Sequence, residues 1–175
     1  MSGWWKRGLV LALVLMVPLA GGCKKKGPKA GAGADGAGSG FGEEGLGSGS
    51  SLERARRGLA PEEGGILGDV RFGYDSADIE SDALDVLARN AQWLKENRNA
   101  KVELEGHADS RGTIEYNLAL GAKRAKSVKD HLAGQGIGAD RISTISYGEE
   151  LPLCQEEAEA CWARNRRVHF VILGQ

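Results

Sequence analysis

The chain has 175 residues, with 23 Lys and Arg against 24 Asp and Glu, 41% hydrophobic and 6% aromatic residues, and 27 glycines. A formal charge of -1 supplies no long-range field for a polyanion, which excludes nucleic acid as a first choice of partner. The apolar content excludes disorder throughout and the length suits one domain, but ten of the glycines crowd between Gly27 and Gly49, so a low-complexity tract is joined to one globular unit.

Lys6 and Arg7 precede an apolar run from Gly8 to Ala20, interrupted by Pro18, and small residues lead up to Cys23. The run is shorter than the roughly 20 residues needed to cross a bilayer, so the pattern reads as an export signal over residues 1–22. Ala20-Gly21-Gly22-Cys23 resembles the lipobox of bacterial lipoproteins, which implies cleavage before Cys23 and lipidation of its thiol. Ordinary secretion with a free Cys23 is the alternative. Acyl chains contribute about 0.8 kcal/mol per buried methylene, enough to hold the mature chain to a membrane. Residues 23–65, Gly-, Ala- and Ser-rich with scattered charges, lack a sustained apolar period and form a tether. Some 40 flexible residues have an r.m.s. span of about 35 Å and a stretched reach of roughly 140 Å. Ser51 to Leu59 is a candidate helical turn without an apolar face to hold it.

The domain, residues 66–175, opens with a strand over Asp69 to Tyr74, in which Val70, Phe72 and Tyr74 alternate as a half-buried strand requires. A turn follows at Asp75 to Asp78. The spacing of Ala83, Leu84, Leu87, Ala91 and Leu94 predicts a helix from about Ile79 to Glu96. Lys101 to His107 is the second strand, with Val102, Leu104 and Gly106 on one face and Glu103, Glu105 and His107 on the other. A helix over Ile114 to Leu132 presents Leu118, Ala122, Ala125, Val128 and Leu132 as its buried stripe, which places Arg124 on the shoulder. A third strand covers Arg141 to Tyr147, a short helix Glu156 to Ala163, and a last strand Arg167 to Leu173. The order is βαβαβαβ, an α+β unit with one mixed four-stranded sheet covered by helices.

Cys154 and Cys161 lie seven apart and in an exported chain should pair. A continuous helix would separate them by about 10 Å of rise, beyond the ~7 Å limit between bridged Cα atoms, so the helix must bend or begin after Cys154. Two cysteines with no second pair and no nearby histidine do not complete a zinc site. The bridge is expected to stabilise a late connection on which ligand binding does not depend.

The strand-to-helix loop Gly106-His107-Ala108-Asp109-Ser110-Arg111-Gly112-Thr113 concentrates charged and hydroxylic groups where functional sites usually lie. At 100° per residue Asn117 and Arg124 share a helix face and look back at this loop. Asp109 and Arg124 are then either a structural ion pair or the two halves of a receptor for a zwitterion, Asp accepting from an ammonium and Arg gripping a carboxylate.

The string Asn117-x-x-Leu120-Gly121-x-x-Arg124-Ala125-x-x-Val128, the loop before it, Ser146-Tyr147-Gly148-Glu149-Glu150 and Asn165-Arg166-Arg167-Val168 together resemble the OmpA-like peptidoglycan-binding domain. Within that family the lipobox and tether match its lipoprotein branch. The resemblance spans about 105 residues from Asp69 onward. It implies non-covalent binding of diaminopimelate in uncrosslinked stem peptides, with no bond made or broken and no cofactor. It also implies an outer-membrane anchor with the domain in the periplasm, and Tol proteins such as TolB as possible partners. Carried over by motif, Asp109 accepts from the diaminopimelate ammonium and Arg124 holds its carboxylate. Arg111, Thr113 and Asn117 complete the rim. Tyr74, Asp75 and Ser76 form the facing wall, where N–H groups at a helix start suit a carboxylate. Leu151, inserted before Pro152, and the cysteine pair depart from the family pattern and bear on the neighbouring loop. An adaptor of the same fold that recognises a protein partner is the competing reading.

Other clusters read as structural. Glu103, Glu105 and His107 are expected on a solvated sheet face, since a catalytic zinc would need a third ligand beside His107 and Asp109. Arg164, Arg166 and Arg167 are expected to pair with the acidic Glu156 to Glu159 segment, and His131, His169, Trp93 and Trp162 to lie on the surface or pack.

Overall fold

The computed structural model describes residues 50–59 and 63–174, all within one compact unit; the signal segment, Cys23 and the tether up to residue 49 lie outside the described residues. The elements are α1 (Ser51–Arg56), β1 (Val70–Arg71), α2 (Ser81–Glu96), β2 (Lys101–His107), α3 (Ile114–Gly134), β3 (Ile142–Gly148), α4 (Glu159–Asn165) and β4 (Arg167–Gly174). From β1 onward this is the predicted βαβαβαβ order.

The sheet runs β1-β4-β2-β3, with β2 and β3 parallel and the other pairs antiparallel. A parallel neighbour requires a crossover, which α3 supplies; its first turn is capped by Thr113, whose Oγ1 accepts from the Tyr116 N–H at 3.2 Å. Val102 and Leu104 of β2, Val168 and Phe170 of β4, and Ile142 of β3 face the helices and meet Leu87, Ala91, Leu94, Ala125, Val128 and Leu132 in one core.

The first strand is much shorter than its alternation suggests. Val70 and Phe72 are buried, but only Val70 and Arg71 pair with β4, and Tyr74 is 63% exposed. Helix α2 begins at Ser81 and turns Leu84 outward, burying Asn90, whose side chain bridges both backbone groups of Gly68.

The second face of the sheet contradicts the expected solvated surface. Glu103, Glu105 and His107 are all buried, as are Arg167 and His169 from the neighbouring strand. The amino end of α1 lies on this face, where the Ser51 N–H donates to both Glu105 oxygens at 3.1 and 3.2 Å. That carboxylate gives the weakly apolar α1 a purchase that its own sequence lacks. Asp69 reaches the same face, with His169 Nδ1 at 2.7 Å and Arg167 Nε at 3.6 Å. Burial pushes the His107 imidazole down to about 4, so it is neutral at pH 7.

Candidate functional site

The site is built on a close backbone approach. A Cβ on Gly106 would stand 1.9 Å from the Gly121 carbonyl oxygen, and one on Gly121 would stand 2.3 Å from Ser146 Oγ and 2.7 Å from the Gly106 oxygen. With neither side chain present, α3 settles against β2 on the face centred on Gly121. Asn117, Leu120, Arg124 and Val128 are therefore buried, while Leu118 is half-buried and Ala122 exposed. This rotation corrects the predicted stripe and moves Arg124 from the shoulder to the centre.

Arg124 is fully buried, and its guanidinium ties three segments together. Nε donates to the Ser76 carbonyl at 2.8 Å, Nη1 to the His107 carbonyl at 2.9 Å and Nη2 to the Gly73 carbonyl at 3.0 Å. A guanidinium has five N–H groups, and with three engaged one remains on each terminal nitrogen. Burial pushes its pKa down to about 10, which still leaves it charged at pH 7.

Asp109 does not pair with Arg124. Its Oδ1 accepts from the Arg111 backbone N–H at 3.1 Å and Arg111 Nε at 3.2 Å; its Oδ2 accepts from Arg111 Nη2 at 2.7 Å and Arg166 Nη1 at 3.2 Å. The structural ion pair left open by the sequence is thus not formed. Burial pushes the Asp109 carboxyl up, but the bonds from Arg111 and Arg166 outweigh this and hold it below its ordinary value.

Between these groups lies a cavity of about 130 Å³, lined by Tyr74, Asp75, Asp109, Arg111, Gly112, Tyr116, Asn117, Leu120 and Arg124. Six of the eight pocket residues expected from the sequence are in this lining. The other two support it from behind: Thr113 caps α3, and Ser76 gives its carbonyl to Arg124 while its Oγ accepts from the Asp78 N–H at 3.0 Å. The facing wall works differently from expectation. Because α2 starts at Ser81, no helix start lies at Tyr74 to Ser76, and the Gly73 and Ser76 carbonyls of this turn accept from Arg124. Asp75 holds a left-handed φ of 52° and accepts from the Tyr116 hydroxyl. Asn117 donates to Glu149 and to the Arg111 carbonyl, which fixes the loop from inside.

Sequence reasoning missed Tyr116, Trp162 and Arg166. Tyr116 lies one helical turn before Leu120, a spacing that could have placed it at the mouth. The Arg111 guanidinium is sandwiched between the Tyr74 ring, 4.0 Å away, and the Trp162 ring, 4.2 Å away. Arg166, buried, also donates to the Phe72 carbonyl at 3.1 Å and to Glu159 at 2.6 Å. The expected pairing of the arginine cluster with Glu156 to Glu159 therefore holds for Arg166 alone: Arg164 pairs with Glu63 and Arg167 with Asp69.

Cys154 and Cys161 are bridged, with Cα atoms 5.4 Å apart, and α4 begins only at Glu159, as the rise argument required. The bridged connection and the segment that follows it pack against the site. They carry Glu159, Trp162 and Arg166 onto Arg111 and Asp109, and so form an outer brace of the cavity.

Residues 71–166 match the family model described as the OmpA family. A peptidoglycan-associated lipoprotein of Mesorhizobium japonicum is 40% identical over 95% of this chain and 92% of its own length. One from Pseudomonas aeruginosa is 39% identical over 94% of this chain and 96% of its own. The crystal structure of the peptidoglycan-associated lipoprotein from Burkholderia pseudomallei, 38% identical, superposes with a TM-score of 0.58 over 59% of this chain and 88% of that one. The glycine contact that sets α3, the loop it faces and strands β2 and β3 all lie within residues 71–166, and the chain belongs to the OmpA family, among the peptidoglycan-associated lipoproteins.

Proposed function

We propose that this chain anchors an outer membrane to the cell wall: lipid on Cys23 holds the membrane, and the domain binds peptidoglycan non-covalently through the diaminopimelate of its stem peptides. The observation that carries the reading is a single cavity lined by both a carboxylate, Asp109, and a buried guanidinium, Arg124, with an N–H to spare on each terminal nitrogen. An ammonium and a carboxylate on one carbon match that pair of charges. The names of the relatives support peptidoglycan as the source of such a group. No group in this arrangement is asked to make or break a bond. Many weak contacts, each at the high local concentration that a tether imposes, join the two layers firmly. Membership of a Tol-Pal system, with Tol proteins such as TolB as partners, is part of the proposal on family resemblance.

Co-sedimentation with purified diaminopimelate-type sacculi tests it. The wild-type chain is expected in the pellet and Asp109→Asn, which keeps the shape and removes the charge, in the supernatant. Equal pelleting of the two would refute the site.

A further inference from the structure

We propose that Arg111 is the specificity-determining residue of this site: it is a built-in counter-ion of Asp109 that an incoming cation must displace, so that only a ligand bringing its own anion gains from the exchange. The inference rests on the reading of the cavity as a receptor for an ammonium and a carboxylate.

A carboxylate such as that of Asp109 offers about four lone-pair sites. Arg111 fills three through its backbone N–H, Nε and Nη2, and Arg166 fills the fourth. Arg166 is not free to leave, since its side chain is 8% exposed and is also held by the Phe72 carbonyl and Glu159. The Arg111 side chain is 29% exposed and lies on the cavity lining, so it is the donor that can yield.

Its release is cushioned but not repaid. The guanidinium keeps its aromatic faces, Tyr74 and Trp162, and has Glu159 Oε2 at 3.6 Å. Glu159 is 62% exposed and already receives Arg166 at 2.6 Å, so it is a weak substitute for the buried Asp109. A bare ammonium therefore exchanges one cation for another at Asp109 and leaves Arg111, Arg124 and Arg166 facing it, with Asp75 the other acid in the lining. A ligand carboxylate beside that ammonium changes the sign. It meets the spare N–H groups of Arg124 and the released fork of Arg111, which matches a carboxylate in plane and spacing. Discrimination then comes from an obstacle to the wrong ligand as much as from attraction to the right one.

The test titrates the full chain, purified in detergent, with two synthetic stem peptides that end in meso-diaminopimelate or in L-lysine, which lacks the side-chain carboxylate. Wild type is expected to favour the diaminopimelate peptide by at least about tenfold, the scale of one charge-assisted contact. In Arg111→Gln the lysine peptide should gain about tenfold while the diaminopimelate peptide changes less, so that the preference collapses. Arg111→Lys, which keeps the charge but cannot fork onto both oxygens of Asp109, should move in the same direction and carries the test if the Gln variant does not fold. An unchanged preference in both variants, or equal weakening of both peptides, overturns the role of Arg111 while leaving the pocket assignment intact. Binding of neither peptide by wild type, or undiminished binding by Asp109→Asn, overturns the pocket assignment and this inference with it.

Discussion

Replacing Arg124 by Ala separates the structural from the binding role of the most buried cation in the site. The guanidinium is fully buried and donates to the Ser76, His107 and Gly73 carbonyls, which joins the β1–α2 turn to the end of β2. Truncation removes three hydrogen bonds, each contributing about 1 kcal/mol net, and leaves three carbonyl oxygens in need of partners. Loss of the side-chain methylenes from contact adds roughly 1 to 2 kcal/mol, and removing the cost of burying a cation, with water entering the vacated volume, offsets part of the total. The expected loss is about 3 kcal/mol, which for a domain of this size lowers the melting temperature by roughly 12 °C. Urea unfolding followed by circular dichroism gives the free energy directly, with an unchanged slope as the sign that the unfolded state is the same. A variant melting within about 3 °C of wild type would refute the argument, because it would mean that those carbonyls do not depend on Arg124. If the loss is as large as expected, failure of Arg124→Ala to bind sacculi says little about ligand contact, which is why Asp109→Asn is the cleaner probe.

Gly106→Ala should cost about 3 kcal/mol or more, since its Cβ would stand 1.9 Å from a backbone oxygen and α3 must move off the sheet; a thermal melt unchanged from wild type would refute the close-contact account. His107 gives a pH signature. Its folded pKa of about 4 lies below the unfolded value near 6.5, so the unfolded chain binds the extra proton, and stability present above pH 6.5 is lost as pH falls toward 4. The share due to this one group between pH 7 and pH 5 is about 2 kcal/mol, and His107→Gln should remove most of that slope in urea midpoints; equal slopes would contradict it. Cys154→Ser with Cys161→Ser should lower stability by about 2.5 kcal/mol from regained loop entropy, and a thiol assay that finds both cysteines free in envelope-purified protein would remove the premise. Cys23→Ser should abolish the acyl mass increment and membrane fractionation; a wild-type mass with no acyl chains would refute the lipid anchor.

The period of apolar residues was enough to read the element order, and β2 emerged with its observed ends because alternation and flanking turn residues agree there. The bridged connection was legible too, since the rise of a helix forbids a bridge across seven residues unless the helix starts late. Six of the eight expected pocket residues line the cavity: the motif places Asp109, Arg111, Asn117 and Arg124 on one loop and the helix that follows it, and Tyr74 and Asp75 face them from the turn after β1. What the sequence could not decide is which charged faces are covered and by what. Alternation puts Glu103, Glu105 and His107 together, but their burial depends on Ser51, Asp69, Arg167 and His169, which arrive from distant parts of the chain. The same holds for Arg124. A helical wheel weighs only the hydrophobicity of side chains and so turns α3 toward Leu118 and Ala122, whereas the absence of two side chains, at Gly106 and Gly121, lets backbones meet and rotates the helix until an arginine is central. Steric contact between elements is a property of their packed arrangement, and no local pattern along one of them contains it.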